Sequence, residues 1–349
     1  MKNLIIHNIH PYHGKFYPGI PQYFISKYAI EANRILDPFC GSGTTLLEAS
    51  IRGFESVGVD TNFLSCKISK TKIFNANPDK IKQLLNVLIN SDDCSDISFK
   101  DGTVWFSQKN YYELCCIYNT INKIEDINYK NIFEVCLSGI LKAICNKRKT
   151  WNNGYIADNI LPNVECEKSL KKVFEQKINN VIKAYEELKN YTFTNSSVFE
   201  KNILDYNPVK KFDIVITSPP YPFAVDFARY NRLSYYLFNE DLDSAVSKET
   251  GARNKRNKKN CVENFFNEIK ILYLHIMELI NTNGYFCMTV CNTQRDKKEI
   301  KFVEWLIDLF HSKNWGIVEN TERYLQNQSM PQKRLPKEHL LVFKKRREI

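Results

Sequence analysis

No stretch of the 349-residue chain comes near the ~18 consecutive apolar residues that a membrane-crossing helix needs. The opening residues, MKNLIIHNIHPYHGKF, hold only a very short apolar run broken by histidines and asparagine. That does not read as a secretory signal, and a cytoplasmic protein is expected. No Cys-x-x-Cys pair occurs among the eleven cysteines, which are odd in number and scattered from Cys40 to Cys291. The scatter argues against a disulfide framework, and most of these residues fall in apolar stretches that make them small core side chains. Cys287 and Cys291 share one face of an expected strand, GYFCMTVCN, but thiols without neighbouring histidines make no metal site. Internal repeats and low-complexity tracts are lacking too.

What is present is a globular composition, 43% apolar with charge mixed throughout, on a chain long enough for one large or two ordinary domains. The formal net charge of +10 favours an acidic partner, of which nucleic acid is the commonest. Its densest local source is GARNKRNKKN at 251–260. Apolar runs alternate with helical patterns, which predicts an α/β fold with a mostly parallel sheet and helices on its faces. Strands are expected at Arg34 to Leu36, Ser56 to Val59, Val198 to Ile203, the segment opening at Asp213, and Tyr285 to Val290. A last pair, around Gly316 to Arg323 and His339 to Lys344, fits an antiparallel hairpin. Between the second and third strands, apolar residues recur at helical spacing, as in Ile81, Leu84, Leu85, Leu88 and Ile89, and mark a helical insertion.

Two local features carry chemistry. DPFCGSGTT, from Asp37 to Thr45, sets glycines between a strand and a helix, where the chain turns tightly and a ligand can approach the backbone. The Gly-Lys-Ser/Thr ending of a phosphate loop and the spaced three-glycine dinucleotide fingerprint are both missing. Asp60, at the end of the next strand, suits an acid that receives ribose hydroxyls, so a nucleoside without phosphate fits best. The other feature is DIVITSPPYPF, Asp213 to Phe223. Its apolar strand ends in prolines that remove backbone donors and fix φ, leaving a rigid extended stub at a strand's carboxyl end.

DPFCGSGTT followed much later by TSPPY resembles the amino-methyltransferases that modify exocyclic nitrogens of DNA bases with S-adenosylmethionine. HPYHGKFYPGIP resembles the segment before the glycine motif in many members, with His10, Lys15, Phe16 and Pro18 as the matching residues. The resemblance implies a doubly wound, mostly parallel, seven-stranded Rossmann-like sheet with a C-terminal antiparallel hairpin. It implies a catalytic core at 1–79 and 190–349, with a helical insertion at 80–189 as a candidate target-recognition region. Asp37, Pro38, Phe39, Cys40, Gly41, Ser42, Gly43, Thr44 and Thr45 would hold the methionine part of the cofactor, and Asp60 its ribose. Asp205, placed at the end of the third strand, would meet the adenine, and Thr217 joins this cofactor site.

In that family the tetrad, here Ser218, Pro219, Pro220 and Tyr221, holds the target base. A base amine is a poor nucleophile hidden in the stack, so the base must be flipped out and held against the methyl donor. The Pro219 carbonyl and the Ser218 side chain would accept the amine hydrogens, and Tyr221 would supply a stacking face. Carbon-5 cytosine methylation is excluded, since its enzymes use a Pro-Cys pair and this chain has none. Ser at the head of the tetrad resembles members acting on the cytosine amine, whereas Asp is commoner in adenine enzymes. Cytosine in duplex DNA, within a restriction-modification system with a partner endonuclease, is therefore expected. The alternatives are an adenine enzyme, a transfer-RNA guanine-amine methyltransferase, or a non-catalytic binding subunit. For DNA contact the candidates are Arg229 and Arg232 in DFARYNRLSYYLF, then Arg253, Lys255, Arg256 and Lys258 in a basic loop at 239–262, and Lys147 and Arg148 in the insertion. The segment at 226–238 could equally be a helix packed on the sheet.

Overall fold

The computed structural model describes residues 3–148, 161–257, 259–296, 298–324 and 337–346. Its strands are β1 Arg34–Asp37, β2 Glu55–Asp60, β3 Ser196–Glu200, β4 Phe212–Thr217, β5 Ile280–Val290, β6 Thr293–Arg295, β7 Lys298–Ile300, β8 Trp315–Tyr324 and β9 Lys337–Lys345. Seven of them form one sheet in the order β3-β2-β1-β4-β5-β9-β8. β1 to β5 run parallel, while β9 is antiparallel to both β5 and β8. The small antiparallel ribbon β6-β7 was not foreseen.

Side-chain alternation builds both faces of this sheet. Ile35, Ile214, Ile216, Cys287 and Val342 pack with Ile20, Phe24 and Ile25 of the helix Gly19–Tyr28. The intervening Leu36, Val215, Phe286, Met288, Leu341 and Phe343 pack with the helices Cys261–Glu278 and Phe302–His311. Successive strand residues point to opposite faces, so a strand buried on both sides must be apolar throughout. Ile214, Val215 and Ile216 of β4 are fully buried, and each contributes roughly 1.5–3 kcal/mol of burial.

The long interval between β2 and β3 is helical, with Pro78–Ile89, Gln108–Asn122, Ile127–Ile144 and Leu170–Leu188 as its main elements. Asn77, Ser107, Asp126 and Ser169 cap their first turns through side-chain oxygens. The apolar cluster of these helices is continuous with Leu4, Ile6 and Ile9, with the helix Phe63–Ile73, and with Leu233, Tyr235 and Leu237 of the helix Arg232–Phe238. Cys94 and Cys116 are joined as a disulfide. One pair makes no framework, and eight of the nine free cysteines are buried, as expected of small core side chains. No helix among the described residues is long and apolar enough to cross a membrane.

Candidate active site

Open α/β sheets form a crevice where their strand order reverses, outside the carboxyl ends of the strands. Here that point lies between β1 and β4, which end at Asp37 and Thr217. Thr217 Oγ1 donates to Asp37 Oδ1 at 2.7 Å, tying the strand ends together. Burial pushes the Asp37 carboxyl up to about 6, against the hydrogen bonds from Thr217, Thr45 and the Phe39 N–H. Asp60 ends β2, and its carboxylate accepts the Gly41 N–H at 2.9 Å and the Asn62 N–H at 2.8 Å. Burial pushes this group up to about 6 as well, with those backbone donors opposing.

The turn between β1 and the helix Thr44–Ser50 depends on glycine. Gly41 and Gly43 have φ of +48° and +72°. A Cβ on Gly43 would lie 2.6 Å from Ser69 Oγ and 2.8 Å from its Cα, so neither the conformation nor the space admits a side chain. Ser69 Oγ in turn donates to the Gly41 carbonyl at 2.9 Å. One cavity is lined by Asp37, Pro38, Phe39, Cys40, Gly41, Ser42 and Asp60, and also by Ser218, Pro219, Pro220 and Tyr221. Segments about 180 positions apart in sequence thus face one space, the separation shown by the Asp37–Thr217 pair.

No protein-family model matches the chain. It is 25% identical over 358 residues to the type II methyltransferase M.MvaI of Kocuria varians, across 93% of this chain and 75% of that one. It is 21% identical over 392 residues to the type II methyltransferase M.MjaII of Methanocaldococcus jannaschii, across 84% of this chain and 73% of that one. A third relative, type II methyltransferase M.BsoBI of Geobacillus stearothermophilus, is 26% identical over 65% of this chain and 52% of its own length. The chain is thus similar in sequence to type II methyltransferases. Among solved structures, the rRNA methyltransferase AviRa from Streptomyces viridochromogenes superposes with a TM-score of 0.40 at 7% identity, across 99% of this chain and 90% of that one.

The segment before the glycine turn contributes Tyr12, Gly14 and Phe16 to the cavity. Of the four residues matched there by resemblance, only Phe16 lines it. His10 is buried elsewhere, against Ser138 Oγ at 3.2 Å, and burial pushes it down to about 3. Lys15 turns to the His7 carbonyl and Asn8 Oδ1, and Pro18 caps the helix Gly19–Tyr28. His13 and Gly14 form a turn in which Gly14 has φ +68°, so no regular periodicity runs through this segment to mark Tyr12 and Gly14 in advance. Gly43, Thr44, Thr45 and Thr217 stand outside the lining, where Thr45 Oγ1 donates to the Ile216 carbonyl at 3.3 Å.

Asp205 is also placed differently from the expectation. β3 stops at Glu200 rather than Ile203, Lys201, Asn202 and Ile203 line the cavity, and the tight turn Ile203–Asp205 leaves Asp205 exposed outside it. The span 239–262, expected as a basic loop, instead holds the helix Leu242–Lys248 and a short turn of helix at Arg253–Asn257, and between them Glu249, Thr250 and Gly251, which the sequence reading missed, reach the cavity. Glu249 Oε1 accepts the Ala228 N–H, and burial pushes this carboxyl up to about 7. Gly251 has φ +66°, and its carbonyl accepts the Phe223 N–H at 2.8 Å.

The basic residues divide. Arg232 is only 3% exposed, inside the helix Arg232–Phe238 that packs on the apolar cluster, so the expectation that it faces DNA is corrected. Arg229 is half-buried in the short helix Phe227–Tyr230. Arg253 is exposed, Lys255 and Arg256 are half-buried, and Lys258 lies outside the described residues. Lys147 is exposed, its backbone paired with Val164, and Arg148 Nε donates to the Leu161 carbonyl.

Proposed function

We propose that the chain is a DNA methyltransferase that moves a methyl group from S-adenosylmethionine to the N4 amine of a cytosine flipped out of duplex DNA. The observation that carries this reading is the shared cavity. The residues suited to a nucleoside cofactor and the tetrad suited to a base amine both line it. The cavity fits the cofactor chemically, since Asp60 offers a carboxylate already oriented by two backbone N–H groups. Gly41 and Ser42, with small or no side chains, line the same space.

When bound, the cofactor supplies a methyl carbon on a sulfonium, electrophilic without further activation. The chain's part is positioning. Asp60 accepts the ribose hydroxyls, and Phe39 packs beside the cofactor. The Pro219 carbonyl and Ser218 accept the amine hydrogens, which favours a more tetrahedral nitrogen with its lone pair free for in-line attack. The prolines hold these acceptors still. Tyr221 gives the base a face to stack on, worth ~1–3 kcal/mol. Exposed Arg253 and Lys147, with Lys255, Arg256 and Arg148, meet the phosphates, and the helical insertion at 80–189 takes part in target recognition. The setting is a restriction-modification system with a cognate endonuclease.

Incubation with labelled S-adenosylmethionine and either unmethylated genomic DNA or bulk transfer RNA tests the reading. Label is expected in DNA, as N4-methylcytosine on nucleoside analysis. Label only in RNA overturns the substrate, and N6-methyladenine alone overturns the base. A Ser218→Ala, Tyr221→Ala double variant with full activity would refute the tetrad's role.

A further inference from the structure

Tyr221 is held by a polar connection that the chemistry above does not use. Its hydroxyl donates to Glu338 Oε1 at 2.6 Å, across 117 positions of sequence. Glu338 is only 6% exposed, and its other oxygen accepts Arg323 Nε at 2.5 Å and Arg323 Nη2. Arg323 and Glu338 are direct cross-strand partners in the β8-β9 pair. Thr289 of β5 adds its carbonyl oxygen 3.3 Å from the Tyr221 hydroxyl.

A carboxylate taken out of water is costly unless its lone pairs are met and its charge is paired. Glu338 satisfies both conditions, by the two N–H groups of one guanidinium and by one phenol proton. Burial, then the nearby Glu338 charge, pushes the Tyr221 hydroxyl well above its ordinary range, so it stays a donor. The ring is thereby fixed at its backbone end by Pro219 and Pro220 and at its tip by the C-terminal hairpin. A stacking face ordered in advance loses little rotamer freedom when a base arrives.

We propose that Glu338 is a positioning residue for base capture, acting through Tyr221 and itself held by Arg323. This rests on the reading of Tyr221 as the base-stacking face.

The test is a double-mutant cycle of Tyr221→Phe and Glu338→Ala in the full chain. Methylation of unmethylated genomic DNA is followed at saturating S-adenosylmethionine, with cofactor affinity measured by calorimetry. Each single variant is expected to lose about tenfold or more in kcat/KM for DNA, the scale of one hydrogen bond to a charged group. The double variant should be no worse than the weaker single one, and cofactor Kd should not change. Glu338→Gln, which keeps an oxygen acceptor, should recover part of the loss. Lys337→Ala breaks the exposed 2.7 Å pair with Glu322 on the same hairpin and should keep full activity. Full activity in Glu338→Ala, multiplying losses in the double variant, or an equal loss in Lys337→Ala would each overturn the inference while leaving the methyltransferase reading intact. Wild-type protein that labels no DNA would overturn that reading, and with it the inference built upon it.

Discussion

Asp60 carries a carboxyl raised from an ordinary 3.8 to about 6, so burial costs it more than its backbone donors at Asn62, Gly41 and Thr61 return. The sign of the consequence follows from linkage. Between those values the folded protein holds the proton more tightly than the unfolded chain, so this group lowers stability as pH rises through the window. In the proposed role ribose hydroxyls would donate to the ionised form, so cofactor affinity should be full above about pH 6 and fall by up to about tenfold per pH unit below it. Asp60→Asn should bind S-adenosylmethionine about 10- to 100-fold more weakly and show a flatter profile through the same range. Calorimetry from about pH 5 to 7 checks both, and unchanged affinity in the variant would remove Asp60 from the site. Sequence pattern could mark Asp60 as a strand-end acid, but its burial and its bond to the Gly41 N–H depend on how the glycine turn folds over β2.

Between elements, the helix Gly19–Tyr28 is fastened to β8 through one carboxylate. Glu319 accepts Tyr23 OH at 2.9 Å, Lys27 Nζ at 2.9 Å, Thr321 Oγ1 at 2.9 Å and Tyr28 OH. Burial pushes Glu319 up, but the bonds from Tyr28, Lys27, Thr321 and Tyr23 outweigh it and hold the group at about 2. Its folded value lies below its unfolded one, so the stabilisation is present above the ordinary 4.5 and is lost as pH falls toward 2. Glu319→Gln should lower unfolding stability by about 1–2 kcal/mol at neutral pH, reduced on the exposed Lys27 side by solvent screening. It should also flatten the acid limb of a chemical-denaturation series. A variant as stable as wild type, with the same acid limb, would show that packing alone holds the helix. Tyr23 and Lys27 are neighbours on one helix face by their spacing of four, which sequence shows. That this face meets β8 was not legible, because the partner lies 292 positions from Lys27.

For the whole molecule, a net charge of +10 predicts DNA binding that weakens steeply with salt. The structure sorts which cations take part. Arg253→Ala, at an exposed position, should reduce the slope of log affinity against log salt by about 1. Arg232→Ala removes a side chain only 3% exposed and should instead lower the unfolding temperature with the slope unchanged. Fluorescence anisotropy with duplex DNA at several salt concentrations, beside thermal unfolding, separates the two. A slope altered by Arg232→Ala alone would reverse the assignment.

Sequence by itself determined the strands that place the crevice, the turn that needs Gly41 and Gly43, and the rigid stub at Ser218 to Tyr221. Apolar alternation, the left-handed freedom of glycine and the fixed φ of proline are all written into neighbouring residues. Only the tertiary structure decided that Tyr12, Gly14 and Phe16 rather than His10 and Lys15 face the cavity. It alone turned Asp205 outward, buried Arg232, joined Cys94 to Cys116 and set Glu338 on the Tyr221 hydroxyl. These outcomes depend on how separate elements pack against the same sheet, and a contact between residues a hundred positions apart leaves no periodic trace in the sequence around either one.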